Sequence, residues 1–172
     1  YELLKAMSVL RVDIGWLADK RNNSIVDFGL SKSAEETFEF WDKNYTIKRM
    51  IRMVRAYKPD IIIPTFLDVN GQHGHHRSVT RATIEAYDKS NDPEMFPDDN
   101  FGPWKISQIF LPAWSGGGGS YDDEEDPPKA THSIDVGNFN HIYGGTYNQI
   151  GEWSRSYLSL IHISEPTRHH VI

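Results

Sequence analysis

Ile61-Ile62-Ile63-Pro64-Thr65-Phe66 is a continuous apolar run rich in β-branched residues, and its reading decides the fold. The run lacks the alternation of a half-exposed strand. It therefore predicts a strand covered on both faces, as in the parallel sheets of α/β proteins. Just downstream stands Gly71-Gln72-His73-Gly74-His75-His76-Arg77, with three imidazoles close together. Open parallel sheets bind ligands at the carboxyl ends of their strands, so the histidines emerge where such folds keep their chemistry. Beyond them Val79, Ala82, Thr83, Ala86 and Tyr87 follow the spacing of a helix with one buried face, which ends near Lys89-Ser90-Asn91-Asp92-Pro93.

The histidines thus fall in the first turn of a helix. Residues three apart share a helical face, so a helix starting at or near His73 brings His73 and His76 toward one point and turns His75 elsewhere. Their shared target is an ion or a substrate oxygen. A helix amino terminus disfavours an imidazolium, and a neutral ring keeps a lone pair for a cation. Set against this, a His-x-x-His pair is weak by itself, because a catalytic zinc site takes three protein groups and a water. Asp68 offers an oxygen, although a loop aspartate is also a turn former. His132 and His141 lie in a later segment.

A chain of 172 residues holds one core of ordinary size, so one domain is the default. No apolar run reaches the length of a membrane span, and the amino terminus carries no secretion signal. The chain begins at Tyr1 and reads as a fragment whose native start is missing, which leaves its compartment open. With no cysteine, disulfides and thiolate ligands are excluded, and imidazole and carboxylate remain as the strong metal donors. That leans the site towards hydrolytic zinc.

The net charge is −6, but much of it sits in Asp122-Asp123-Glu124-Glu125-Asp126, between a Gly-Ser stretch and Pro127-Pro128. This run reads as a solvated loop. It lacks the spaced donors and turn glycine of a calcium site. The rest of the chain is almost neutral and shows no basic stripe, which argues against a nucleic-acid partner. Trp114, beyond the strand that ends near Leu111, is a rim or core tryptophan before it is a platform for a sugar ring.

Along the chain, helix and strand alternate. Glu2 to Leu10 reads as a helix and Ser24 to Phe28 as a short strand. Ser33-Ala34-Glu35-Glu36 carries a capping-box pattern that opens a helix through Trp41. In the helix from Tyr45 to Tyr57, Ile47, Met50, Ile51 and Val54 form the buried stripe, with Lys48, Arg49, Arg52 and Arg55 turned outward. Further strands are expected at Ile106 to Leu111 and His132 to Val136, and a helix from about Tyr143 to Tyr157. Such alternation predicts an α/β fold with helices on both faces of a mainly parallel, Rossmann-like sheet.

The segments Asp27-Phe-Gly-Leu-Ser-Lys-Ser-Ala-Glu-Glu-Thr-Phe, Lys58-Pro-Asp-Ile-Ile-Ile, Gly71-Gln-His-Gly-His-His-Arg, Ile134-Asp-Val-Gly and Ser154-Arg-Ser, in this order, resemble the PIG-L/LmbE-like de-N-acetylases. The resemblance implies a Rossmann-like hydrolase that uses Zn2+ to remove the acetyl group from N-acetylglucosamine-type sugars, a small-molecule amino-sugar partner. Carried over by motif, His76 is a metal ligand and His73 the catalytic companion that assists the transition state. The family's His-Pro-Asp-Asp motif, source of two ligands and the base, does not occur in residues 1 to 172. On this reading residues 1–157 are a partial deacetylase domain, truncated at both ends and inactive alone. Residues 158–172, which resemble a translated sequencing adapter, are then a non-native tail. A metallo-β-lactamase-like hydrolase is disfavoured, because Arg77 stands where that family needs an aspartate. From another class, a carbohydrate-binding or scaffolding module on the same fold is the alternative.

Overall fold

The computed structural model describes residues 1–18, 24–112 and 129–158. In chain order the elements are α1 (Glu2–Leu10), α2 (Ala34–Phe40), α3 (Lys43–Tyr57), β1 (Ile61–Ile62), α4 (Gly74–Lys89), β2 (Gln108–Ile109), β3 (Phe139–Asn140), β4 (Gly145–Thr146) and α5 (Tyr147–Arg155). They form two compact units, one of Tyr1–Gly15 with Thr131–Ile172 and one of Trp16–Ala130.

In the second unit, local chemistry fixes the helix starts. The Ser33 hydroxyl accepts the Glu36 N–H, and the Asp42 carboxylate accepts the Tyr45 N–H, each satisfying a donor left free in a first turn. The Glu36 carboxylate accepts the Lys32 N–H, one residue beyond the Ser33 N–H that a capping box would use. Ile47, Ile51 and Val54 of α3 pack with Ala82 and Ala86 of α4 and with Ile106 to form the core, with Met50, Ile62, Tyr87 and Trp104 against it. Burying such a set supplies the main driving force for this unit, at about 25 cal/mol per Å² of apolar surface.

Arg55 departs from its expected outward position. It is 2% exposed, and its guanidinium donates to the carbonyls of Ser90 at 3.1 Å, Asp92 at 2.7 Å and Phe96 at 3.4 Å. Asp99 lies 3.9 Å from Arg55 and pairs with Arg52 at 3.1 Å. The loop after α4 folds back over α3 and turns its carbonyls inward, where only a planar, many-donor cation satisfies them together. Arg49 likewise donates to the carbonyls of Trp16 and Leu17.

The strand readings hold only in part. β1 and β2 pair in parallel, Ile61 with Gln108 and Ile62 with Ile109, across a connection that contains α4. Ile62 faces the core, but Ile61 is 49% and Ile63 63% exposed, so the strand is covered on one face, not two. Pro64, which has no N–H to donate, stands where the ladder would continue. Ser24 to Phe28 and His132 to Val136 form no strand. The described residues hold two small sheets, one parallel and one antiparallel, among five helices. This is a mixed helix-and-sheet architecture, in which the parallel pairing among the described residues is the β1–β2 ladder.

In the first unit α1 packs on α5. The buried Ser154 hydroxyl donates to the Ala6 carbonyl at 2.8 Å, and the Tyr143 hydroxyl to that of Leu10 at 2.9 Å. β3 and β4 form an antiparallel hairpin whose turn ends at Gly144, with φ of 74°. α5 begins at Tyr147, later than its apolar pattern implied, because Thr146 and Gln149 build a full capping box there. The acidic run and Trp114 lie outside the described residues, as does the tail from residue 159.

Candidate functional site

α4 opens at Gly74, one residue later than a shared helical face for His73 and His76 requires. His73 is the cap, with φ of −60° and ψ of 136°, and its Nδ1 accepts the His75 N–H at 3.2 Å. An imidazole thus takes the place usually held by a serine or aspartate oxygen. With Nδ1 taken as acceptor, Nε2 is the ring nitrogen of His73 left to donate.

The three rings gather at this helix start. The centroids of His73 and His76 are 5.7 Å apart, and those of His73 and His75 are 4.5 Å apart, edge to face. His75 was expected to project elsewhere. It does stack on Trp41 at 4.9 Å and meet the edge of Phe28 at 4.5 Å, while the non-helical cap leaves His73 at its other edge. His76 stacks on Phe66 at 4.1 Å, nearly coplanar. Burial holds both the His75 and the His76 imidazoles below the ordinary value, with neighbouring histidines adding to the effect. Nε2 of His75 and Nδ1 of His76 are buried without a hydrogen-bond partner.

A cavity of about 370 Å³ adjoins His73, lined by Leu30, Ser31, Lys32, Asn70, Gly71, Gln72 and Arg77 as well. That size suits a small polar ligand such as a sugar. One wall is the loop before α2, pinned to α4 by several bonds. The Gly74 N–H donates to the Ser31 carbonyl at 2.8 Å, and Arg77 donates to the Lys32 carbonyl at 2.9 Å. Ser31 and Thr37 share a buried hydroxyl hydrogen bond at 2.8 Å.

Asp68 serves neither as a turn former nor as a free oxygen ligand. Its carboxylate is held between Arg77, at 2.6 Å, and Arg81, which also pairs with Glu35. Arg81 in turn holds the Glu35 carboxyl below its ordinary value. His132 and His141 belong to the first unit and are exposed. Among the described residues no three histidine, aspartate or glutamate side chains are placed to hold a metal ion together. The unpartnered ring nitrogens, Nε2 of His75 and Nδ1 of His76, suit a cation, but the described donors alone do not close a zinc site.

Sequence reasoning singled out the histidines but missed the wall formed by Leu30, Ser31 and Lys32. Its signal lay in the Asp27–Phe38 segment, whose contacts with α4 span some forty positions and leave no local pattern.

No family model matches the chain, and no solved structure does. The chain is similar to 1D-myo-inositol 2-acetamido-2-deoxy-alpha-D-glucopyranoside deacetylase 1 of Frankia alni, at 28% identity over 89 residues. The match covers 49% of this chain and spans 30% of the length of that relative. The likeness is to a deacetylase, in keeping with an amide hydrolase at a coarse level. Among the described residues no helix is long and apolar enough to cross a membrane.

Proposed function

We propose that this chain is part of a zinc-dependent hydrolase that removes the acetyl group from an N-acetylglucosamine-type sugar conjugate. Residues 1–157 belong to the catalytic domain of a PIG-L/LmbE-like, Rossmann-like enzyme, and residues 158–172 have no part in it. His76 is a metal ligand and His73 the catalytic companion. The observation that carries this reading is the pair of imidazoles at the start of α4, with a sugar-sized cavity against one of them. The similarity to the Frankia alni deacetylase supports the class of substrate.

Zinc, when bound, polarises an amide carbonyl and lowers the pKa of its water to about 7. The remaining roles fall to side chains. Phe66, stacked on His76, fixes the plane of that ring and keeps water from one face of it. The His75 N–H occupies Nδ1 of His73, so His73 offers Nε2–H as its donor, suited to the carbonyl oxygen as negative charge develops there. On this reading the further ligands and the general base belong to a His-Pro-Asp-Asp motif that residues 1 to 172 do not contain, so the chain by itself is expected to be inactive.

The test is zinc content and acetate release from an N-acetylglucosamine conjugate, measured on the protein in its natural full length. His76→Ala is expected to lose zinc and activity together. His73→Ala is expected to keep zinc and lose about 10²- to 10³-fold in turnover, the loss typical of a missing oxyanion donor. Full zinc and full activity in His76→Ala would refute the assignment. The shortage of described donors favours a second reading, a carbohydrate-binding module on the same fold. Sugar binding without zinc or acetate release in the full-length protein would select it.

A further inference from the structure

The cavity beside His73 has an uneven charge. Its eight lining residues include two cations, Lys32 and Arg77, and no aspartate or glutamate, in a chain of net charge −6. The two cations differ in what surrounds them. The Arg77 guanidinium is committed to Asp68 at 2.6 Å and to the Lys32 carbonyl, so its charge is largely offset. The Lys32 ammonium pairs with no carboxylate among the described residues.

The backbone of Lys32 is held from both sides. Its N–H donates to the Glu36 carboxylate at 2.8 Å, and its carbonyl accepts from Arg77 at 2.9 Å. The residue before it is buried, with its carbonyl on the Gly74 N–H. Lys32, exposed and without a carboxylate partner among the described residues, therefore sits on a fixed stretch of the cavity wall. The rest of the lining is Leu30, Gly71, the Ser31 hydroxyl, the amides of Asn70 and Gln72 and the His73 imidazole, with Gln72 only 6% exposed. Ammonium, amide and imidazole together recognise oxygen-rich, acidic groups.

We propose that Lys32 is a specificity-determining residue, selecting an acetylated amino sugar that carries an acidic group, carboxylate or phosphate, over a neutral one. This rests on the reading of the cavity as the amino-sugar site. The fixed contacts of Lys32 use only its backbone, so exchanging its side chain leaves the wall in place.

The experiment measures dissociation constants by calorimetry, on the whole chain and on Lys32→Gln and Lys32→Arg. The probes are methyl N-acetylglucosaminide as the neutral sugar, N-acetylglucosamine 1-phosphate for phosphate and N-acetylmuramic acid for carboxylate. Circular dichroism checks that the variants fold. The chain is expected to bind at least one acidic probe about three- to tenfold more tightly than the neutral sugar, as one partly exposed ion pair allows. The advantage should shrink with added salt. Lys32→Gln should erase it without weakening the neutral sugar, and Lys32→Arg should keep it. Which acidic probe gains tells phosphate from carboxylate. Equal binding of all three sugars, or a preference that survives in Lys32→Gln, overturns the proposal and leaves the amino-sugar reading standing. Failure to bind any of them, here and in the zinc-loaded full-length protein, overturns both.

Discussion

The Gly74 N–H donates to the Ser31 carbonyl at 2.8 Å, tying the first residue of α4 to the loop ahead of α2. Two helices and a cavity wall are set by this one approach. A Cβ added at Gly74 would overlap the Ser31 hydroxyl and the Ser33 carbonyl, and would lie 2.6 Å from the Thr37 hydroxyl.

Gly74→Ala should therefore destabilise the protein, although alanine in a helix is ordinarily favoured over glycine by up to ~1 kcal/mol. Overpacking against backbone costs about 1–3 kcal/mol and outweighs that gain. Urea unfolding should show a lower midpoint, and an unchanged or raised midpoint would contradict the close approach.

Arg55 is expected to be a large single contributor to stability. Arg55→Ala strands the carbonyls of Ser90, Asp92 and Phe96, at about 1–3 kcal/mol for each acceptor left unsatisfied, while Asp99 keeps its pair with Arg52. Arg55→Lys should recover only part, since an ammonium cannot span the three acceptors in the way a guanidinium does. Chemical denaturation of the two variants should rank them in that order.

The helices were legible because their signals are local. Ser33 caps where its pattern placed it, and the α3 stripe of Ile47, Ile51 and Val54 is buried as its spacing requires, although α3 begins at Lys43, behind an Asp42 cap that the apolar spacing does not mark. Arg55 was not legible, because a helix pattern shows which face is charged but not that a distant loop will turn its carbonyls upon it. The run at Ile61 was read as covered on both faces because apolar composition does not reveal an exposed side, and Ile63 turned out to be one. At the site, the clustering of His73, His75 and His76 could be read from the sequence. The ring arrangement could not, since it depends on His73 taking the cap.

Stability should fall as pH drops below 6.5. Burial keeps the His75 and His76 rings below the ordinary imidazole value of 6.5, so the unfolded chain binds protons first as pH drops. The contribution is complete above 6.5 and is lost as pH falls through the lowered folded values. His75→Phe keeps an aromatic ring between Trp41 and Phe28, and it should flatten the dependence. An equally steep profile in that variant would assign the effect to other groups.

Asp68→Asn removes the carboxylate shared by Arg77 and Arg81. These pairs are partly exposed, so the loss of stability should be about 1 kcal/mol. The larger effect is expected on the cavity wall, since Arg77 also holds the Lys32 carbonyl. Amide exchange at Lys32 and Ser33 should quicken, and unchanged rates there would mean that Arg77 holds the loop without Asp68.

The pairing of β1 with β2 has a kinetic corollary. Its partners are separated by the whole of α4 and the loops around it, and each strand contributes only two residues to the ladder. So short a ladder cannot repay the entropy of closing so long a loop. The collapse of α3 onto α4 must come first and bring the strands within reach. Mutations at Ile51 or Ala82 should accordingly slow refolding, whereas changes at Gln108 should mainly speed unfolding.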